Sequence, residues 1–359
     1  MHLLLADDPA WSAAYDALAP ESREPYFHPT WSAASAEWEH AIASGLLHQP
    51  AAGKIFLYPF LNHSVPFPST DQHDIQTPYG YGGPLFAGNW SSAEKIETLI
   101  GVAETLRAKG AIAEFVRCHP DLIDPELLTG AGYTTFQVRT NVECELRAND
   151  FTQSWHSTAR RNLRKAVGSG LTWRATSDPS ADDLQTFHRL YLATADRLAM
   201  AAHYRFDLAY IRAILATPGA RLIIVETTAA PAMRDPAEYD APGPIPVAAA
   251  IVLLSPLRAY YHLGASDFAF QQLRPNDFLY YAMALLARRH GCETIAWGGG
   301  TSNDPEDSLL RFKSHFGALR KPVFCAGRVL DREGFDHQLS QWRAANADRD
   351  AKMFLKYRA

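Results

Sequence analysis

Residues 292–317, CETIAWGGGTSNDPEDSLLRFKSHFG, are the stretch that decides the predicted fold. The apolar run at 294–297 predicts a short buried strand that follows a helix. Three consecutive glycines come directly after it, Gly298, Gly299 and Gly300. Since glycine adopts backbone conformations that other residues avoid, these three predict a sharp turn or a close approach of the chain to a ligand.

The second half of this stretch predicts a short helix. The tripeptide Asp-Pro-Glu at 304–306 suits its first turn, because proline tolerates that position and acidic side chains favour the positive end of the helix dipole. Phe312 and Lys313 would lie on this helix, and Gly317 would end it as a C-terminal cap.

The same order of elements occurs twice in the chain. Residues 106–132 predict a helix, a glycine, a strand, a loop with Asp-Pro-Glu, a short helix and a glycine, and residues 287–317 repeat that order. A chain of 359 residues also exceeds one typical domain. The sequence therefore predicts an α/β (α+β) fold of two similar domains. Residues 1–145, completed by the tail 322–359, would form the first, and residues 146–321 the second.

Composition predicts an ordinary folded chain. Hydrophobic residues make up 47% and charged residues 20%, which suffices for a buried core. A net charge of −5 argues against nonspecific wrapping of nucleic acid, although it allows a local basic patch. Because the sequence has neither a signal-like start nor an apolar run of membrane-spanning length, a cytoplasmic protein is expected.

The sequence lacks the motifs of several enzyme classes. It contains no G-x-S-x-G, no P-loop, no H-E-x-x-H, no C-x-x-C and no G-x-G-x-x-G. Its four cysteines are scattered, and its histidines do not cluster with carboxylates at ligand spacing. We therefore expect buried free thiols, no metal site and no dinucleotide site.

Residues 158–168, TARRNLRKAVG, predict a helix with one strongly basic face. At about 100° per residue, Arg160, Arg161, Arg164 and Lys165 share one arc. Four cations in six residues repel one another, so an anionic partner such as tRNA phosphate would stabilise them. A solvated surface would show the same pattern and is the commoner cause of a charge run. The low total of 34 Lys and Arg favours the anionic partner.

Residues 77–84, TPYGYGGP, predict an ordered loop, because glycine, proline and tyrosine at this density do not suit regular structure. Tyr79 and Tyr81 would either cover the core or line a ligand site. The sequence favours neither role over the other.

A strand, a glycine gap and a lysine-bearing helix that ends in Phe-Gly resemble the last segment of the Fem family of aminoacyl-transferases. The resemblance covers most of the chain and is strongest over 155–166, 187–197, 260–266 and 277–317. It implies two tandem GNAT-like domains, each a central mixed sheet flanked by helices. It also implies that the C-terminal tail completes the first domain.

The resemblance further implies roles for individual residues. The family's Phe-Lys pair, thought to act near the aminoacyl ester, matches Phe312 and Lys313 as catalytic residues. Arg197 matches the arginine that holds the acceptor diphosphate, whereas the family's first-domain lysine for that diphosphate has no clear counterpart near Trp31–Trp38. The expected substrate-binding residues are then Arg197, Tyr79, Tyr81, Tyr261, Gly298, Gly299 and Gly300.

The function that the resemblance implies is amide-bond formation. An aminoacyl group would pass from aminoacyl-tRNA to an amine of a peptidoglycan precursor or a natural product, without a further cofactor. Lys313 would stabilise the oxyanion. One alternative is an acyl-CoA-dependent GNAT N-acyltransferase, although residues 271–276, QQLRPN, lack the glycines of the R-x-x-G-x-G/A motif that holds the CoA diphosphate. The second alternative is a noncatalytic protein that binds a glycan or a peptide.

Overall fold

A computed structural model of the chain describes residues 1–67, 71–228, 243–302, 304, 306–347, 349 and 353–358. The chain divides into two compact units. Unit 1 comprises Met1–Val138 and Pro322–Ala359, and unit 2 comprises Arg139–Lys321. The first boundary falls after Val138, inside the strand Thr134–Glu145, whereas the sequence placed it after residue 145.

Unit 1 contains both strands and helices. Its elements up to residue 130 are β1 (His2–Leu5), α1 (Pro9–Asp16), α2 (Pro29–Glu39), β2 (Ile42–His48), β3 (Ile55–Ser64), β4 (His73–Gln76), β5 (Leu85–Ala87), α3 (Ser92–Ala108), β6 (Ala111–Arg117) and α4 (Pro125–Gly130). In α3, Ser91 and Glu94 form a reciprocal capping box, and the buried Leu99, Val102 and Leu106 recur at helical spacing.

The remaining elements run from the unit boundary to the C-terminal segment. In chain order they are β7 (Thr134–Glu145), α5 (Ser157–Gly168), β8 (Thr172–Thr176), α6 (Ala181–Arg197), α7 (Leu208–Leu215), β9 (Ala220–Thr227), β10 (Ile245–Leu254), β11 (Arg258–Ser266), α8 (Pro275–Arg289), β12 (Thr294–Gly298), α9 (Ser308–Lys313), β13 (Leu319–Val329) and α10 (Arg332–Ala345).

Each unit has a mixed sheet, and the two sheets share one pairing pattern. The strand order is β1-β2-β3-β4-β6-β13 in unit 1, with β5 beside β3, and β8-β9-β10-β11-β12-β7 in unit 2. In both, three antiparallel pairs are followed by one parallel and one antiparallel pair. The predicted fold class, two similar mixed sheets with flanking helices, is confirmed.

The sequence predicts a helix over 29–45, from apolar residues at helical spacing, and another over 335–357, and both are shorter in the structure. The pattern at 29–45 predicted one helix, but α2 ends at Glu39 because His40 adopts a left-handed conformation (φ 51°). Ile42 then begins β2, whose backbone pairs with β3. At the C-terminus a helix was predicted over 335–357, whereas α10 ends at Ala345. The Pro- and Ala-rich sequence at 227–246 predicts a loop, which lies largely outside the described residues.

A buried ion pair links β13 to β6 inside unit 1. Arg328 donates from Nε to the Glu114 carboxylate at 2.7 Å, and its Nη2 donates to the same oxygen. The hydroxyls of Tyr58 and Tyr133 donate to the other carboxylate oxygen at 3.1 and 2.7 Å. Glu114 is 0% exposed and Arg328 is 7% exposed. Because both carboxylate oxygens accept hydrogen bonds, the arrangement offsets the cost of desolvating the two charges.

In unit 2, a buried indole connects the strand before the glycines to the segment after α9. Trp297 on β12 is 0% exposed, and its Nε1–H donates to the carbonyl oxygen of Phe316 at 2.9 Å. Phe316 is itself fully buried and lies in the 3₁₀ turn Ser314–Phe316. This contact holds the end of α9 against the end of β12, where the candidate site lies.

Candidate functional site

The glycine segment leaves the sheet where two parallel strands stop pairing. β11 and β12 are paired over the three residue pairs from Arg258↔Thr294 to Tyr260↔Ala296. Gly298 then takes a left-handed conformation (φ 77°), which favours glycine. A Cβ on Gly299 would stand 2.7 Å from the carbonyl oxygen of Thr140 on β7. The segment therefore turns sharply and passes close to neighbouring backbone, as the sequence predicted for its glycines.

The helix with Phe312 and Lys313 begins later than predicted. Its N-cap is Asp307, whose carboxylate accepts hydrogen bonds from the amides of Leu310 and Thr301, both at 2.9 Å. Hydrogen bonds from the Thr301 side chain and from backbone amides hold the pKa of Asp307 well below its usual range. Because the helix begins at Ser308, Asp304 and Glu306 precede its first turn, and Pro305 lies outside the described residues.

Gly317 differs from its predicted role as a left-handed cap. Its φ of −176° is ordinary extended backbone. A side chain is excluded there for a different reason, because a Cβ on Gly317 would stand 2.2 Å from the carbonyl oxygen of Glu143. The chain after α9 therefore packs directly against β7.

Lys313 is the titratable group at the centre of the site. It is 8% exposed, and its Nζ donates to the carbonyl oxygen of Gly299 at 2.9 Å. The same nitrogen lies 5.5 Å from the centroid of the Tyr261 ring. Burial lowers the pKa of Lys313 to about 7, with a further lowering from Arg139 and an opposing effect from Asp307. Near neutral pH both protonation states are therefore populated.

Aromatic side chains pack beside Lys313. Phe312 is half-buried and makes edge-to-face contacts with Tyr280 and Phe316, at centroid distances of 5.5 and 5.1 Å. Tyr280 also lies 5.5 Å from the Tyr261 ring. Burial raises the pKa of Tyr280 well above its usual value. This apolar surrounding strengthens the electrostatic effect of a charge on Lys313.

Polar residues on β7 were missed by the sequence reasoning. Arg139, Asn141 and Glu143 alternate along the strand, with Asn141 and Glu143 at 0% and 4% exposure. Lys321 Nζ lies 3.3 Å from the Glu143 carboxylate. The sequence does indicate this strand, because polar residues recur at every second position of QVRTNVECE, residues 137–145, which is the periodicity of a strand.

Several of the predicted site residues meet in unit 2. Lys313 contacts Gly299 and Tyr261, and a Cβ on Gly298 would stand 3.3 Å from Lys313 Nζ. Arg197 lies elsewhere on the unit, at the end of α6, where it is exposed and its guanidinium stands 5.5 Å from the Phe268 ring. Its binding role stays a prediction.

Tyr79 and Tyr81 belong to unit 1. Tyr81 is 7% exposed and packs edge-to-face against Tyr26 and His119, with centroids 5.3 and 5.9 Å away. The Trp31 indole donates to the carbonyl oxygen of Tyr79 at 3.2 Å. These contacts are those of an ordered loop against a core, and a ligand role for either tyrosine stays a prediction.

The predicted basic helix forms as α5, with Ala159 and Ala166 buried and its cations exposed. We call its four cations the basic surface: Arg160, Arg161, Arg164 and Lys165. None of them has an ion-pair partner within the part of the chain that the structure describes. On its inner side, Asn162 donates to the Asp277 carboxylate on α8 at 3.1 Å.

Two further findings concern the described residues as a whole. They contain no group of three or more His, Cys, Asp and Glu side chains that could hold a metal ion. No helix among them is both long and apolar enough to cross a membrane. The four cysteines are free and buried, as expected.

Comparison with known proteins agrees with the fold described above. Residues 153–314 match the family model described as an acetyltransferase (GNAT) domain, and this span includes Lys313. The crystal structure of FemX is similar over 94% of this chain and 99% of its own, with 17% identity and a TM-score of 0.72. A sequence search of curated proteins finds no match.

Two other solved structures share the arrangement. One is the C-terminal domain (DUF2156) of a putative lysylphosphatidylglycerol synthetase from Agrobacterium fabrum, with 13% identity and a TM-score of 0.55 over 93% of this chain and 96% of that one. The other is a tandem GNAT protein from the clavulanic acid biosynthesis pathway, with 10% identity and a TM-score of 0.50 over 92% and 99%.

These findings agree on the fold of the chain, which is that of GNAT acyltransferases. The fold is Fem-like, with two tandem GNAT-like units, and residues 153–314 match the GNAT domain model. The resemblance to the Fem family that the sequence indicated is confirmed at the level of fold.

Proposed function

We propose that this protein forms amide bonds by transferring an aminoacyl group from aminoacyl-tRNA to an amine acceptor. The observation that carries the proposal is the buried Lys313, held by Gly299 where the paired strands end. In this reaction the amine nitrogen attacks the ester carbonyl carbon. A C–N bond forms, the C–O bond to the ribose breaks, and the ribose oxygen takes the proton that the amine loses.

Lys313 stabilises the oxyanion of the tetrahedral intermediate in its protonated form. An ammonium group has three donors, and the Gly299 carbonyl takes one of them, so two remain for substrate. Because the ester already carries a good leaving group, no protein nucleophile is needed, and positioning and charge stabilisation suffice. Phe312 and Tyr261 provide the apolar walls, and the glycines let the acyl group approach the backbone.

The start of α8 supports a tRNA donor over acyl-CoA. It occupies the place where a CoA-dependent GNAT enzyme would hold the diphosphate on glycine amides. Pro275 offers no N–H there, and Arg274 takes a left-handed conformation (φ 61°) as the N-cap. The Asp277 carboxyl in the first turn is 6% exposed, and burial raises its pKa. Because proline lacks an N–H, this helix start offers a diphosphate fewer amide donors than a glycine-rich loop would.

The basic surface supports a polyanionic donor. Its four exposed cations lie on one arc of α5 and lack intramolecular ion pairs within the described residues. Phosphates would bind there with release of condensed counterions, which makes binding salt-dependent. The small size of the surface agrees with the net charge of −5, which disfavours a large footprint for a polyanion.

The salt dependence of donor use tests this proposal. The double variant Arg161→Ala/Arg164→Ala should raise KM for aminoacyl-tRNA and reduce the slope of log affinity against log salt by about 2, since each phosphate contact contributes close to one unit. Arg189→Ala/Arg212→Ala is the matched control, because it removes two exposed arginines from α6 and α7 of the same unit. Equal slopes for wild type and the α5 variant would contradict a tRNA contact here.

A further inference from the structure

Two imidazole rings stack on the surface of unit 2, beside the basic surface. His156 is the N-cap of α5, and His315 lies in the 3₁₀ turn after α9. Their ring centroids are 4.8 Å apart with an interplanar angle of 18°. His156 is exposed and His315 is half-buried. The proposed chemistry at Lys313 uses neither ring. We call this pair the histidine stack.

The histidine stack is held in place by the residues next to it. The amide of His156 donates to the carbonyl oxygen of His315 at 2.9 Å. Beneath the rings, the buried Trp155 and Phe316 make an edge-to-face contact with centroids 5.2 Å apart. Two adjacent contacts between the same two segments therefore fix the rings, and a ligand that stacks on them meets a preorganised surface.

The orientation of the outer ring is also fixed. His156 Nδ1 accepts a hydrogen bond from the amide of Thr158 at 3.2 Å. In the neutral ring the proton therefore lies on Nε2. The cap explains the position of His156, but it does not require a second imidazole to lie parallel to the first. Helix capping by His156 therefore does not explain why its ring stacks on that of His315.

Cations border the histidine stack on both helices. Arg160 follows one turn after His156 on α5, and Arg311 precedes His315 by one turn on α9. Both arginines are exposed, and Arg311 lies 3.5 Å from the equally exposed Glu306. Burial lowers the pKa of His315, with additional lowering from His156 and Arg311, so this ring is neutral near pH 7.

Flat, fixed rings bordered by guanidinium groups suit a nucleobase and its phosphates. Proteins bind unpaired bases by stacking them on aromatic or histidine rings while cations follow the backbone. A peptide would gain little from this surface, because nothing in the stack and its arginine borders forms an apolar pocket for side chains. The surface is also continuous along α5 with the cations assigned to the donor.

We propose that the histidine stack binds an unpaired nucleotide of the aminoacyl-RNA donor. This inference rests on the proposed function, since it assigns a binding surface to the single-stranded end of that donor. The base stacks on the exposed face of His156, and His315 supports the ring from behind. Arg160 and Arg311 contact the adjoining phosphates.

Paired variants of His156 separate stacking from helix capping. His156→Phe keeps an aromatic ring but loses the cap, whereas His156→Asn keeps a side chain that can cap but loses the ring. The probe is an RNA minihelix with a single-stranded 3′ extension, prepared as a set with 2-aminopurine at each unpaired position in turn. Stacking quenches its fluorescence, and binding to the full-length protein is measured in the same titration.

We expect wild type and His156→Phe to quench one member of the set with similar affinity. His156→Asn should lose the quenching and bind about tenfold more weakly, as should His315→Ala. His337→Ala, an exposed histidine on α10 of unit 1, is the control and should behave as wild type. Retained quenching in His156→Asn, or loss in His156→Phe equal to that in His156→Asn, would overturn the proposal.

The Arg161→Ala/Arg164→Ala variant distinguishes failure of the stacking proposal from failure of the proposed function. If it weakens binding of the minihelix while His156→Asn does not, the RNA donor stands and the histidine stack is not part of its site. If wild type binds no member of the probe set even at low salt, both the stacking role and the RNA donor are wrong.

Discussion

Replacing Lys313 with methionine is expected to slow acyl transfer strongly and to stabilise the protein. The variant loses the cation that stabilises the oxyanion, and removing such a group typically lowers kcat about 100- to 1,000-fold. Methionine fills a similar volume without a charge to desolvate. A buried ammonium is costly, whereas a buried thioether is not. We expect the free energy of unfolding at pH 7 to rise by about 1–3 kcal/mol, after allowing for the unpaired Gly299 carbonyl.

The pH dependence of stability tests whether the buried charge of Lys313 causes the expected difference in stability between wild type and Lys313→Met. The pKa of Lys313 is lowered to about 7 in the folded protein, below its value of 10.5 in the unfolded chain. Between those values the unfolded state binds more protons, so wild-type stability should increase as pH rises from 7 to 10. This contribution should be absent from Lys313→Met. Urea unfolding at a series of pH values measures the difference between the two proteins.

Lys313→Arg is the matched control for charge. Arginine stays protonated throughout this range, so a fall in kcat above pH 7 in wild type should be absent from any activity the variant retains. If Lys313→Met keeps kcat within threefold of wild type, Lys313 has no role in the chemistry. A binding protein without catalysis would instead show no turnover in wild type.

Arg328→Met is expected to destabilise unit 1 by about 3–5 kcal/mol. The substitution leaves the Glu114 carboxylate buried at 0% exposure without its cationic partner. It also removes the hydrogen bond from Arg328 to the carbonyl oxygen of Leu99 at 3.0 Å. Urea unfolding, combined with hydrogen exchange of the β6 and β13 amides, would measure the loss in the unit that contains the pair.

Two further variants control this experiment. Arg332→Met removes an exposed arginine that pairs with Asp336 on the surface, and it should change stability by less than about 1 kcal/mol. Arg328→Met/Glu114→Leu removes both buried charges and should recover much of the lost stability. If Arg328→Met proves as stable as Arg332→Met, the ion pair does not hold β13 in unit 1.

Much of the fold follows from local sequence patterns. The repeated order of helix, glycine, strand and short helix gave the tandem arrangement, because each step depends on neighbouring residues alone. The prediction was wrong where tertiary pairing outweighed such a pattern. Ile42 fits the helical periodicity of α2, yet the chain turns at His40 and Ile42 joins β2 beside β3. The pairing of Arg328 with Glu114 could not be predicted either, since these residues are far apart in sequence.

The candidate site was predictable in part. The resemblance to the Fem family pointed to Phe312 and Lys313, and the run of glycines indicated a turn. The hydrogen bond from Lys313 to Gly299 depends on the left-handed turn at Gly298, which sequence spacing does not specify. The polar residues of β7 follow a two-residue periodicity that indicates a strand, but this pattern does not specify that Asn141 and Glu143 are buried.

Transfer of a labelled amino acid from aminoacyl-tRNA to a pool of amines tests the central claim most directly. Wild type should form a labelled amide when the donor is intact, and the yield should fall sharply when the tRNA is digested with RNase beforehand. Lys313→Met should form the product about 100- to 1,000-fold more slowly, although it is folded. A product that is insensitive to RNase and requires acyl-CoA would contradict the account, as would equal yields from wild type and Lys313→Met.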